Sequence, residues 1–178
     1  MHQEIGKYIL RDWRGDDAPS IANYADNRKI WRNLRDGFPH PYTFHDAEIF
    51  IERINAADPR TAFAIATESE AIGSIGLALG TDVHRYTAEL GYWLAEPFWG
   101  KGIMTLAVQF LTAWAFHKLN LHRIYAEPYA GNQASHRVLE KAGFTREGVL
   151  RKNVFKDGKI LDQVLYSCIQ SVERPVPP

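Results

Sequence analysis

The spacing of apolar residues predicts helices in the first third of the chain. Apolar side chains recur at helical intervals over Ser20–Leu34, which is typical of one amphipathic helix. Thr43 is followed three residues later by Asp46, and this capping-box pattern predicts the start of a second helix. Residues 35–42 contain one glycine and two prolines, so we expect an irregular loop there. A strand-like run, Tyr8–Trp13, precedes both helices.

After residue 60 the pattern changes to short apolar runs. Thr61–Thr67 and Ala71–Leu79 are separated by three polar residues, which predicts a β-hairpin. Thr87–Ala95 is expected to form the next strand. Ile103–Lys118 carries the clearest helical stripe of apolar residues in the chain. The strongest helix is therefore expected to follow a strand and a glycine-containing turn.

The last third of the chain completes the predicted sheet. Arg123–Glu127 is expected to be a strand, and Ala134–Ala142 a short helix closed by a glycine. Thr145–Phe155 and Lys159–Gln170 alternate around a turn signal and predict a second hairpin.

This element order indicates fold class α/β in one domain over residues 1–170. We expect a mixed, largely antiparallel β-sheet with helices on both faces. Three prolines within residues 171–178 predict a flexible tail.

Composition narrows the class of protein. The chain has 178 residues with 21 Lys+Arg against 21 Asp+Glu, so the net charge argues against nucleic-acid binding by broad phosphate neutralisation. Cys168 is the single cysteine, so neither an internal disulfide nor a cysteine-based zinc set is expected, and a buried inert thiol is the favoured interpretation. The seven histidines lack metal-ligand spacing, and we expect no metal.

The chain also lacks the segments that would direct it to a membrane. The longest apolar stretch, Ile103–Phe116, is shorter than the roughly 20 residues that a membrane span requires. The first residues contain no apolar signal core, so we expect a cytoplasmic protein without membrane contact.

Pro97–Thr105 is the first segment that suggests chemistry. Gly100 and Gly102 lie at the start of the strongest predicted helix, where free backbone N–H groups and the helix dipole suit a phosphate group. A tight turn alone would explain the glycines equally well. Two familiar phosphate loops are excluded, because the P-loop spacing is absent and Thr105 stands where a dinucleotide fingerprint has its third glycine.

Asn132 and Ser135 open the last predicted helix, which ends before Gly143-Phe144. Asn132 is explained by helix capping alone, and Ser135 could simply face solvent. Neither residue would attract notice without the glycine segment that precedes it in the chain.

Taken together and in order, these motifs resemble the GNAT superfamily of acetyl-CoA-dependent N-acetyltransferases. The resemblance is closest to the ribosomal-protein N-terminal acetyltransferases of the RimJ/RimL type, and it runs from about Tyr8 to Ile169. It implies the acyl-CoA N-acyltransferase fold with two splayed central strands and acetyl-CoA as co-substrate. It further implies direct acetyl transfer to a primary amine, with a protein or peptide N-terminus as the favoured acceptor. A polyamine or aminoglycoside-like acceptor, and a non-catalytic acyl-CoA-binding module, remain alternatives.

The resemblance also assigns the residues of a coenzyme site. Backbone amides would bind the CoA pyrophosphate, the strand at Trp93 and Leu94 would pair with the pantetheine arm, and Asn132 would hydrogen-bond the pantetheine. Trp99 and Met104 depart from the family-wide loop pattern. The loop residues concerned are Trp99, Gly100, Lys101, Gly102, Ile103, Met104 and Thr105.

The resemblance also bears on the catalytic groups. Leu139 stands where many members carry the tyrosine that protonates the leaving thiolate, and leucine has no proton to donate. Ser135 is the replacement that the RimJ/RimL branch implies. Glu89 is the candidate base, acting through a water, because an ammonium must lose a proton before it can attack. A solvent-facing carboxylate in a cross-strand charge pair is the alternative for Glu89.

Phe38 and Tyr42 are the candidate acceptor-site residues. They are aromatic residues on a loop that we expect to be exposed, and exposed loop aromatics often contact ligands. The resemblance places this loop beside the acceptor groove. A monomer or a homodimer is compatible with the composition.

Overall fold

An eight-stranded sheet in the order β1-β2-β3-β4-β5-β6-β8-β7 forms the centre of the computed structural model, which describes residues 1–171. Every neighbouring pair is antiparallel except β5 and β6, which run parallel. The strands are β1 (His2–Ile5), β2 (Tyr8–Arg11), β3 (Ala62–Ala66), β4 (Ala71–Leu79), β5 (Thr87–Leu94), β6 (Arg123–Ala126), β7 (Thr145–Lys156) and β8 (Lys159–Ile169).

Helices cover the sheet and enclose two hydrophobic clusters. The larger cluster contains buried residues of β4, β5 and the last two helices along the chain, and the smaller one is built mainly from the first three helices. The expected α/β fold class, a mixed and largely antiparallel sheet, is confirmed. The helices are α1 (Ala18–Ala25), α2 (Arg28–Trp31), α3 (Phe44–Ala56), α4 (Ile103–Lys118) and α5 (Gln133–Lys141).

Local signals predicted several elements correctly. The α4 helix has the expected bounds. The capping box at α3 is present, since the backbone N–H of Asp46 donates to Thr43 Oγ1 at 3.2 Å and the backbone N–H of Thr43 donates to the Asp46 carboxylate at 2.8 Å. The final hairpin turns at Asp157 and Gly158, whose φ angles of 50° and 74° match the turn that joins two twisted antiparallel strands.

Near the start of the chain, one prediction is wrong and one strand was missed. The single helix expected over Ser20–Leu34 is divided into α1 and α2 at Asp26 and Asn27. Asn27 has an extended backbone and its side chain accepts a hydrogen bond from the N–H of Lys29, so it caps a new helix instead of continuing the first. The strand β1 was not predicted, because three of its four residues are exposed and polar.

The pairing of β5 with β6 is short and positions the functional site. The two strands pair from Thr87 with Arg123 to Glu89 with Tyr125. Beyond Glu89, β5 continues to Leu94 along β4, whereas no described strand pairs with its other edge. The strands therefore part at Glu89, which is the splayed geometry that the resemblance implied. Within residues 1–171, no helix combines the length and apolar character needed to cross a bilayer, and the predicted tail from residue 172 onward lies outside the described residues.

Candidate active site

A large cleft opens where β5 and β6 part. Its volume is about 1110 Å³, which is ample for an elongated organic ligand. Its walls come from β5, from the turn before α4, from the start of α5 and from the loop that follows α2. Every residue predicted for the coenzyme, catalytic and acceptor sites lines this one cleft.

The turn before α4 leads into a helix start that presents unpaired backbone amides to the cleft. Gly100 and Gly102 have φ angles of +74° and +75°, a left-handed conformation that glycine adopts without strain. Gly102 is the N-cap of the 16-residue α4 and offers no side chain to the first helical amides. The N–H groups of Ile103, Met104 and Thr105 therefore have no partner among the described residues. Such a helix start is suited to an anion such as a pyrophosphate.

Trp99 and the end of β5 hold this turn in place. The indole Nε1 of Trp99 donates to the carbonyl oxygen of Leu94 at 2.6 Å, which ties the turn to the strand. The side chains of Trp93 and Leu94 are buried, so these residues offer mainly backbone groups to the cleft. Trp99, which departs from the family-wide loop pattern, therefore has a structural role, because its indole binds the end of β5.

Asn132 and Ser135 meet at the start of α5. The carboxamide oxygen of Asn132 accepts from the backbone N–H of Ser135 at 3.2 Å, so Asn132 is the expected helix cap. No described residue accepts from its carboxamide nitrogen, which remains available as a donor at the cleft wall.

The Ser135 hydroxyl has a partner that the sequence did not reveal. Ser135 Oγ lies 2.7 Å from the hydroxyl oxygen of Tyr92 on β5. Burial raises the pKa of Tyr92, and the hydrogen bond with Ser135 only partly opposes this effect. Leu139 lies in the hydrophobic core with no exposed surface, so its position carries no group that could act in the cleft.

Glu89 is the last residue of β5 that pairs with β6, and its side chain is 22% exposed. Its carboxylate accepts from the Arg35 guanidinium at 2.5 Å. The ion pair therefore joins β5 to the loop after α2 and is not a cross-strand pair.

Glu127 is a second carboxylate at the same end of the cleft. Its pKa is raised by burial and by the negative charge of Glu89, while Arg35 opposes the increase. No described residue donates a hydrogen bond to the Glu127 carboxylate. Sequence reasoning missed Glu127, because a glutamate at the end of a short strand has no distinguishing local pattern.

The loop after α2 brings Phe38 and Tyr42 to the cleft, but one expectation about them is wrong. Tyr42 is only 7% exposed, because its ring packs into the smaller hydrophobic cluster. Its ring lies 4.8 Å from that of Phe38, which in turn lies 6.0 Å from Trp93. Burial and the charge of Asp46 raise the pKa of Tyr42 to about 12. Phe38 is the more accessible of the pair.

Cys168 takes no part in this cleft. It is half-buried on β8, and burial raises the pKa of its thiol. In the described part of the chain, no group of three or more His, Cys, Asp or Glu residues is arranged to hold a metal ion.

Comparison with known proteins assigns the family. Residues 7–145 match the family model described as Acetyltransferase (GNAT) domain. The chain belongs to the GNAT acetyltransferase family. It is 36% identical over 175 residues to the uncharacterized N-acetyltransferase YoaA of Bacillus subtilis, an alignment that covers 96% of this chain and 97% of YoaA. A protein named "Probable N-acetyltransferase YjcK" from the same organism is 46% identical over 93 residues, which cover 52% of this chain and 51% of YjcK.

Relatives with named acceptors include two kinds of enzyme. The spermidine N(1)-acetyltransferase of Vibrio cholerae is 27% identical over 164 residues, covering 91% of this chain and 92% of that protein. The crystal structure of the ribosomal-protein-S5-alanine acetyltransferase from Vibrio fischeri superposes with a TM-score of 0.83 at 27% identity, covering 98% of this chain and all of that chain. RimJ of Mycobacterium smegmatis, in complex with CoA-disulfide, gives 0.82 at 26% identity, covering 93% and 83%.

These findings make the protein an N-acetyltransferase related to the RimJ/RimL branch, as the motifs indicated. The GNAT fold is likewise confirmed.

Proposed function

We propose that the protein transfers the acetyl group of acetyl-CoA directly to the α-amino group of a protein or peptide. The observation that carries this proposal is that the predicted coenzyme, catalytic and acceptor residues all line one cleft. One continuous space is bordered by the unpaired amides at the start of α4, the free edge of β5, Ser135 and Glu89. In this space a thioester and an amine can meet without a covalent enzyme intermediate.

The pyrophosphate of acetyl-CoA would lie against the amides of residues 102–105, and its pantetheine arm would run along the free edge of β5. Backbone N–H groups of that edge would stabilise the negative charge that develops on the thioester oxygen. These positions rest on chain geometry and on the unpaired donors described above.

The reaction removes two protons from the nitrogen of the acceptor ammonium and delivers one proton to sulfur. Glu89, through a water, would accept a proton from the ammonium of the acceptor, and the free amine would then attack the thioester carbon. As the new C–N bond forms and the C–S bond breaks, the nitrogen would lose its second proton to solvent, and Ser135 would deliver a proton to the departing sulfur. The products are an N-acetylated amine and CoA with a free thiol. Arg35 would have to release Glu89 when the acceptor binds, because its guanidinium now occupies that carboxylate.

A polyamine acceptor is the second candidate. Glu127 favours it, since a partly buried carboxylate beside another carboxylate gains from a bound cation. The names of similar proteins support both candidates. One relative is named a spermidine N(1)-acetyltransferase, which supports the polyamine, and one similar solved structure is named a ribosomal-protein-S5-alanine acetyltransferase, which supports the protein acceptor.

Thiol release from acetyl-CoA would identify the acceptor class. The amines to compare are short peptides with different first residues, spermidine, an aminoglycoside and a control without amine. Release with a peptide class alone supports the proposal, whereas release with spermidine alone selects the second candidate. Tight acetyl-CoA binding without release to any amine would favour a binding module.

Two variants test the assigned roles. Ser135→Ala should reduce kcat about 100-fold or more, and Ser69→Ala in an exposed turn is its control. Glu89→Gln should lower kcat and remove the acidic limb of the pH profile, with the exposed Glu68→Gln as control. Unchanged turnover in either variant would exclude that residue from the mechanism.

A further inference from the structure

Two hydroxyl groups from separate elements meet in the cleft. Tyr92 lies on β5 and Ser135 in the first turn of α5, yet their oxygens are 2.7 Å apart. The Ser135 backbone is held independently, because its N–H donates to Asn132. Since helix capping fixes the backbone of Ser135, the contact with Tyr92 is the interaction that selects the orientation of its side chain.

The chemistry of the two groups sets the direction of their hydrogen bond. A phenol is a stronger acid than an aliphatic alcohol and therefore the better donor. Burial raises the pKa of Tyr92, so its hydroxyl keeps its proton throughout the neutral range. Tyr92 then donates to Ser135 Oγ, and the Ser135 proton is left to point at a third atom in the cleft.

We propose that Tyr92 is a positioning residue that aims the Ser135 hydroxyl at the sulfur of the leaving thiolate. This inference rests on the proposed function, in which Ser135 is the proton donor. Leu139 offers no phenol from α5, and Tyr92 on β5 instead brings one to the cleft, where it contacts Ser135.

The proton transfer balances without any further reagent. As the C–S bond breaks, Ser135 gives its proton to sulfur, and the Tyr92 hydroxyl stabilises the charge that develops on Ser135 Oγ. Tyr92 keeps its own proton, and a solvent proton restores Ser135 before the next turnover.

A double-mutant cycle tests this role with the acceptor that supports the fastest turnover. Tyr92→Phe removes the hydroxyl and leaves the ring. We expect kcat to fall about 10-fold, the loss typical of a strong hydrogen bond, while the calorimetric Kd for acetyl-CoA stays within about twofold. In the Ser135→Ala background, Tyr92→Phe should cause no further loss, because the group it positions is gone. Tyr24→Phe is the matched control, since Tyr24 also loses a hydrogen bond, to Glu70 at 3.0 Å.

The possible results separate this inference from the proposed function. Full activity of Ser135→Ala would overturn the donor role and the positioning role together. A damaged Ser135→Ala with an unaffected Tyr92→Phe would overturn the positioning role alone. A Tyr92→Phe variant with weaker acetyl-CoA binding and normal kcat would show a purely structural residue, and a further loss in the double variant would show that Tyr92 does not act through Ser135.

Discussion

Replacing Gly102 by alanine tests the turn before α4. Gly102 has φ +75°, and an added Cβ would meet no atom within 4 Å. Crowding therefore contributes nothing, and the whole effect comes from placing an L-residue in the left-handed region, which costs about 1–2 kcal/mol.

This cost can appear in two measurements. If the variant keeps the native turn, its free energy of unfolding falls by about 1–2 kcal/mol, and Tm falls by roughly 2–8 °C for a chain of this size. If the turn relaxes to another conformation, stability is kept and acetyl-CoA must restore the turn on binding. Its Kd then rises about 5- to 30-fold. The loss of unfolding free energy and the loss of binding free energy should together amount to about 1–2 kcal/mol.

Thermal unfolding and titration calorimetry with acetyl-CoA would measure the two parts. Gly15→Ala is the control, because an added Cβ there also meets nothing within 4 Å and its φ is not left-handed. Gly102→Asn should recover part of the loss, since asparagine tolerates this region better than alanine. A Gly102→Ala protein with unchanged Tm and unchanged Kd would refute the argument that the left-handed turn forms the anion site.

Three further predictions concern stability and charge. Glu147 accepts hydrogen bonds from Arg123 and Ser167, which lower its pKa from 4.5 to about 2. This stabilisation is present above pH 4.5 and is lost as the pH falls through 2. Chemical unfolding should therefore show Glu147→Gln less stable by about 1 kcal/mol at pH 7, after allowance for solvent screening, with most of this difference lost at pH 2. Leu139→Ala should lower the free energy of unfolding by about 2–5 kcal/mol, and a urea-unfolding loss below 1 kcal/mol would contradict its place in the core. Because the charge of Glu89 contributes to the raised pKa of Glu127, carboxyl NMR titration should show a lower Glu127 pKa in Glu89→Gln, and an unchanged value would mean that the two groups do not interact.

Elements governed by neighbouring residues were predictable from the sequence. The bounds of α4, the capping box at Thr43 and the turn at Asp157 and Gly158 each depend on residues a few positions apart. The free amides at the start of α4 belong to the same class, since helix-terminal amides are a local property. The ordered motifs were enough to indicate the family.

The contacts that complete the site were not predictable in this way. Tyr92 and Ser135 are 43 positions apart, and Arg35 and Glu89 are 54 positions apart. No local pattern specifies either pair, because each contact depends on how elements that are distant in sequence pack together. The burial of Tyr42 has the same origin.

The sequence by itself therefore determined α4, the start of α3, the final hairpin turn and the free amides at the start of α4, because torsional preference and capping act between close neighbours. Only the tertiary structure decided which side chains meet in the cleft. The free energy of such long-range contacts comes from packing whole strands and helices together, and the spacing of residues along the chain does not encode it.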